Sequence, residues 1–189
     1  DLRVDTDLEE VARAHLDDLT KPKGSLGRFE DIAARLYMIG GGMTPLSVEP
    51  ALVVVASGDH GVVEEGVSAF PQEVTGQMLR NILDGGAGIS VLSRLNGMKM
   101  IVVDAGGAHD ALSEDEYPKL RNLRLARGTA NMARTCAMSP EHCARALLYG
   151  MDTVRYAVEQ GVRLVATGEM GIGNTTPATA LFCALYGLE

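Results

Sequence analysis

Apolar positions at the start of the chain follow helical spacing, and from Ala51 onward they gather into short unbroken runs. Leu8, Val11, Ala12, His15, Leu16 and Leu19 share one face of a first helix, and Thr6-Asp7-Leu8-Glu9 forms a capping-box pattern at its start. Thr20-Lys21-Pro22-Lys23-Gly24-Ser25 breaks that helix. Phe29, Ile32, Leu36 and Ile39 line a second helix, which Gly40-Gly41-Gly42 ends. Together they read as a hairpin, so residues 1–48 are expected to be an N-terminal helical segment that packs on the core or on a partner chain.

Beyond Ala51 the pattern changes. Leu52-Val53-Val54-Val55-Ala56, Met100-Ile101-Val102-Val103 and Arg163-Leu164-Val165-Ala166-Thr167 are mainly apolar without alternation, as strands buried on both faces are. Helical stretches separate them. Residues 72–83 carry Val74, Met78, Leu79, Ile82 and Leu83 on one side, another helix begins near Ser90, and a longer one covers 139–160. Ser139 is its N-cap, Pro140 takes its first position, and Cys143, Leu147, Met151, Val154 and Val158 form its stripe. Strands alternating with helices predict an α/β fold, a parallel sheet flanked by helices in a Rossmann-like three-layer core over 49–189. Residues 108–133 are polar and irregular and read as a long loop over one sheet edge. The chain starts at Asp1 rather than Met, and its last helix stops at Leu188-Glu189 without a cap, so the core is expected to be incomplete at its C-terminus.

Composition narrows the partners. With 46% hydrophobic and 22% charged residues over 189 positions, the chain can bury one sizeable core. A formal net charge of −8 argues against general nucleic-acid binding. Anionic small molecules stay open, because backbone amides can hold a phosphate against that field. Cys136, Cys143 and Cys183 are an odd, sparse set for a disulfide scaffold, and no apolar run has membrane-spanning length. The expectation is a cytoplasmic chain with no membrane partner.

Ligands of open α/β sheets bind at the carboxyl ends of the strands. Three segments stand there: Ser57-Gly58-Asp59-His60-Gly61, Asp104-Ala105-Gly106-Gly107 and Gly168-Glu169-Met170-Gly171-Ile172-Gly173-Asn174-Thr175-Thr176-Pro177. In the last, a strand runs into a glycine-rich loop, and Pro177 at a first helical position opens the next helix. Amides there attract an anion, and Asn174, Thr175 and Thr176 add donors. A phosphate cradle is preferred over a plain turn, since a cap needs only one such residue. The loop is neither a Walker loop nor a full dinucleotide fingerprint, because Thr176 stands where the third glycine would be. Glu169 is odd beside an anion, which suits a sugar hydroxyl or a developing positive charge. Asp59-His60 reads equally as an acid–base pair or as a turn cap beside a satisfied histidine.

Plainer readings fit other positions. Asp104 simply ends its strand in preference to meeting a ribose, and Asp84-Gly85-Gly86-Ala87-Gly88 is a turn between helices. The Arg121, Arg124 and Arg127 cluster belongs to a solvated loop. Cys136, His142 and Cys143 lack a fourth ligand, and Cys143 belongs to an apolar stripe, so no metal is expected. No cofactor is expected either.

Several motifs together resemble the amino-terminal part of the nicotinate-nucleotide–dimethylbenzimidazole phosphoribosyltransferase family. They are Leu19-Thr20-Lys21-Pro22-Lys23-Gly24-Ser25-Leu26-Gly27-Arg28, then Asp59-His60-Gly61-Val62 with Glu65-Gly66-Val67-Ser68 and Pro71-Gln72-Glu73-Val74-Thr75. Arg127-Gly128-Thr129-Ala130-Asn131 and the 168–177 loop complete the set, in the family's order over nearly the whole chain.

The resemblance implies a pentosyltransferase that moves ribose phosphate from nicotinate mononucleotide to dimethylbenzimidazole. The products would be nicotinate and α-ribazole phosphate, the latter for the lower ligand of cobalamin. It implies a homodimer with a nucleotide and phosphate site of Glu169, Gly171, Gly173, Asn174, Thr175 and Thr176. Its base pocket would comprise Asp59, His60, Phe70, Pro71 and Met78, with Phe70 and Met78 standing where some members carry more polar residues. The family's general base lies in a carboxyl-terminal part that this sequence does not include. The implied protein is therefore a partial enzyme, in which Glu169 and Asp59 are the remaining candidates for proton work. A non-catalytic binder of benzimidazole or nucleotide on the same scaffold is the alternative. A nicotinamide-dinucleotide oxidoreductase is a third reading, against which the imperfect fingerprint counts.

Overall fold

The unbroken apolar runs become neighbouring strands of one parallel sheet. The computed structural model describes residues 4–43 and 47–188. In it, β1 (Ala51–Gly58), β2 (Lys99–Gly106), β3 (Leu120–Asn122) and β4 (Leu164–Met170) lie in the order β3-β2-β1-β4. Val54 sits between Ile101 of β2 and Thr167 of β4, so β1 is paired along both edges.

Alternation along these strands splits the core between two faces. Val53, Val55, Met100 and Val102 pack with Leu79, Ile82 and Leu83 on one side. Those three leucine and isoleucine residues belong to α3 (Glu73–Leu83), which a turn joins to α4 (Gly88–Leu95). On the other face Leu52 and Ile101 meet Ala157 of α5 (Pro140–Glu159). Burying each large aliphatic side chain contributes about 1.5–3 kcal/mol, so the α3 side is the stronger of the two. α5 starts where Ser139 and Pro140 place it: the Ser139 hydroxyl oxygen accepts from the His142 amide at 3.1 Å.

Several local expectations are corrected. The stretch 108–133 is not all loop, because Leu120, fully buried, pairs with Val102 as the start of the short edge strand β3. β4 is not buried on both faces; it lies at the sheet edge, with Leu164 and Val165 exposed. The α5 stripe is also open to solvent at Leu147, Met151, Val154 and Val158. α6 (Thr175–Tyr186) begins two residues before Pro177, which is therefore not its first residue. Its end is capped, with the left-handed Gly187 donating to the Cys183 carbonyl; Glu189 lies outside the described residues.

The chain divides into two units, Asp1–Val48 and Glu49–Glu189. In the first, α1 (Leu8–Asp18) packs against α2 (Arg28–Ile39), with the small residues Ala12 and Ala34 buried. Phe29, Ile32 and Ile39 remain exposed, while Leu8, Leu16, Leu36 and Tyr37 are half-buried. The capping box does not form: Asp7 is the N-cap, and the Glu9 amide donates to the Thr6 carbonyl instead. Lys21 pairs with Glu30 at 2.8 Å, and Glu30 also accepts from the Leu26 amide at 3.1 Å. The Lys21 hydrogen bond is the main reason that Glu30 titrates below the usual carboxylate range.

Candidate functional site

β4 delivers the chain into the glycine loop at the carboxyl end of the sheet. A side chain at Gly171 would run into the Gly58 carbonyl and the Asn174 side chain, so the loop can pass β1 closely only there. Gly173 has φ +82, and a Cβ on it would lie 2.9 Å from Val63. The loop is closed by its own backbone, with Asn174 N donating to Gly171 O and Thr176 N to Gly173 O, both at 3.1 Å. The amides of Gly173 and Thr175 make no hydrogen bond to another described residue. Both stand at the start of α6, where the helix dipole favours an anion.

The two residues after β1 turn inward. Asp59 is 2% exposed. Its Oδ1 accepts from the Thr75 hydroxyl at 2.6 Å and its Oδ2 from the Ala108 amide at 2.7 Å. His60 Nε2 bonds Asn174 Oδ1, which leaves the Asn174 NH2 group as a donor in the loop. Of the paired readings for Asp59-His60, this geometry favours satisfied partners, since both Asp59 oxygens are committed within the protein.

The remaining expected site residues are more dispersed. Glu169 lies on the sheet face opposite Met170, beside Ala56 of β1, exposed and with no polar partner among the described residues. Phe70 is 64% exposed and Pro71 is exposed, whereas Met78 packs against the α3-side core. Asp59 and His60 instead border an apolar cavity of about 190 Å³, with Leu125, Met138, His142 and Ala146. The cavity lies between the ends of β1 and β2 and the first turns of α5.

Asp104 is fully buried, and its Oδ1 accepts from the Gly106 and Gly107 amides at 3.1 and 2.9 Å, which ends β2. The arginine cluster is solvated only at Arg127, which is exposed and pairs with the exposed Asp110 at 3.2 Å. Arg124 is largely buried, donates to the Gly107 and His109 carbonyls and stands 3.6 Å from Asp104, while Arg121 lies over the Tyr156 ring. Thr75 and Asn131 carry connections that the sequence reading did not single out. Asn131 donates to Glu65 at 2.6 Å, and Arg134 reaches the same oxygen at 2.9 Å. The Asn131 hydrogen bond, followed by the Arg134 charge, holds the Glu65 carboxyl below the usual carboxylate range. The clue to Thr75 was a lone hydroxyl on the helix face that also carries Leu79 and Ile82.

Among the described residues no group of three or more His, Cys, Asp or Glu could hold a metal ion, and no helix is long and apolar enough to cross a membrane. A parallel sheet with a glycine loop opening a helix at its carboxyl end is an arrangement of nucleotide-handling enzymes. A family model described as Phosphoribosyltransferase matches residues 2–189, and the chain belongs to that family. It is 55% identical over 186 residues to a nicotinate-nucleotide–dimethylbenzimidazole phosphoribosyltransferase of Solidesulfovibrio magneticus, covering 98% of this chain and 52% of that protein. A relative of the same name in Chlorobaculum tepidum is 52% identical, with 98% and 51% covered. The crystal structure of a protein with that name from Thermus thermophilus superposes with a TM-score of 0.91 at 44% identity, covering 97% of this chain and 55% of that one. The chain thus spans about half the length of the curated relatives it matches.

Proposed function

We propose that this chain supplies the nucleotide-binding part of an enzyme that transfers ribose phosphate from nicotinate mononucleotide to dimethylbenzimidazole. The observation that carries this reading is the pair of unengaged amides, Gly173 and Thr175, at the start of α6. They suit a phosphate monoester, with Gly171 allowing close approach and Asn174, Thr175 and Thr176 adding side-chain donors. In the reaction the bond from C1′ to the nicotinate nitrogen breaks, and a bond from C1′ to a benzimidazole nitrogen forms. The proton on the other benzimidazole nitrogen passes to a base. Positive charge develops on the ribose as the first bond lengthens, and the Glu169 carboxylate, without a polar partner among the described residues, is the group of this loop suited to stabilise it.

Both Asp59 oxygens already accept hydrogen bonds within the protein, which supports a base supplied by the rest of a longer enzyme. In this reading Asp59, His60, Phe70, Pro71 and Met78 are the residues that would meet the acceptor base. His60 at the apolar cavity and the exposed Phe70 support an aromatic occupant. A cytoplasmic homodimer belongs to the same reading, and the open apolar residues of α5 and α6 favour association.

The test is direct. Nicotinate mononucleotide is titrated into the chain by calorimetry, then dimethylbenzimidazole is added and α-ribazole phosphate sought by mass spectrometry. Binding with little or no product is expected. Absence of binding at millimolar nucleotide overturns the reading, and rapid turnover overturns the partial-enzyme part of it.

A further inference from the structure

Thr75 is fully buried in α3 and belongs to no expected site, yet its hydroxyl joins two of the loops that frame the ligand region. One hydroxyl has a single proton to give. Here that proton goes to Asp59 Oδ1 at 2.6 Å, while the second Asp59 oxygen is held by the Ala108 amide. With its proton committed, Thr75 Oγ1 presents only lone pairs on its other side. It accepts there from the Ile172 amide at 3.0 Å. Ile172 is itself buried, so this amide has no water to fall back on. The polarity of the chain is thereby fixed from Ile172 N–H to Thr75 O–H to Asp59.

We infer that Thr75, oriented by Asp59, is the positioning residue of the glycine loop. By turning the Ile172 amide into the protein it leaves the Gly173 and Thr175 amides for the ligand. The same clasp ties together the segments that follow β1, β2 and β4. This inference rests on the nucleotide reading above and adds a residue outside the loop that sets its affinity.

The comparison is between the chain and its Thr75→Val and Thr75→Ser variants. Val keeps the shape and removes the hydroxyl, whereas Ser keeps the hydroxyl. Hydrogen exchange at the Ile172 and Val54 amides is read beside the dissociation constant for nicotinate mononucleotide. For Thr75→Val we expect affinity about tenfold weaker, as loss of one buried hydrogen bond allows. Exchange at Ile172 should be faster with Val54 unchanged, and Thr75→Ser should restore both.

Ile172 exchange unchanged in Thr75→Val, or binding within about twofold of the parent, overturns the inference. If the parent chain binds no nucleotide, the function proposed above fails, and the exchange comparison alone decides the clasp. Should Thr75→Val not fold, Asp59→Asn takes its place. Thr75 and Ala108 donate to different Asp59 oxygens, and in Asn one of these positions becomes an NH2 donor, so Ile172 protection should fall, and unchanged protection overturns the inference.

Discussion

Glu65 illustrates how one carboxylate secures a segment beside the site. It closes a short 3-10 helix (Gly61–Glu65) and accepts from Asn131 and Arg134, which belong to the turn following the Arg127–Asn131 motif. Because its folded-state pKa is lowered, the folded protein binds this proton more weakly than the unfolded chain. The contribution is therefore full above the ordinary carboxylate pKa and is lost as pH falls through the lower folded value. Acidification through and below the ordinary carboxylate range should release the turn. Amide exchange at Arg134 and Thr135, corrected for intrinsic rates, should rise across it, and Glu65→Gln should flatten that rise. Identical profiles for the two proteins would remove Glu65 from the turn. At this scale the glycines of the loop were legible, since their spacing after a strand has few other uses. Thr75, Asn131 and Arg124 were not: each is defined by a partner remote in sequence, and of the three only Thr75 leaves a trace, a lone hydroxyl on the apolar face of its helix.

At the level of elements, caps and runs carried the most information. Ser139 and Pro140 mark the start of α5 in sequence, and the hydroxyl bond to His142 is there. Ser139→Ala should lower stability by about 1 kcal/mol, the usual worth of such a cap. Urea titration checks this, and an unmoved midpoint would mean that the first turn of α5 adds nothing to global stability. β1, β2 and β4 were readable because β-branched runs bounded by glycine have one good interpretation. β3 was not, since three residues offer no period and its pairing depends on the neighbouring β2. The expectation of double burial failed for β4 because an apolar run records the capacity to be covered, not the presence of a cover. The same reason explains the α2 stripe. Its Phe29, Ile32 and Ile39 stay exposed while Ala34 forms the seam.

For the whole molecule, the uneven distribution of apolar surface matters most. The α3 side of the sheet is covered over β1 and β2, whereas Leu147, Met151 and Val158 of α5 and Leu181, Leu185 and Tyr186 of α6 are exposed. Surfaces of this kind mark association or aggregation sites. Sedimentation should show mass rising with concentration, and Leu147→Glu with Leu185→Glu should suppress that rise without lowering the melting temperature. A chain that stays monomeric at every concentration would contradict this. The strand order has a temporal consequence as well. Val165 and Leu52 are partners in the sheet although they lie on the order of a hundred residues apart in the chain, whereas β1 and β2 are joined through α3 and α4 at about half that distance. Closing the longer loop costs more entropy before any contact rewards it. Emerging from a ribosome, β1 and β2 can therefore settle on their two helices before β4 exists, and the glycine loop takes its shape after them, against a surface already made.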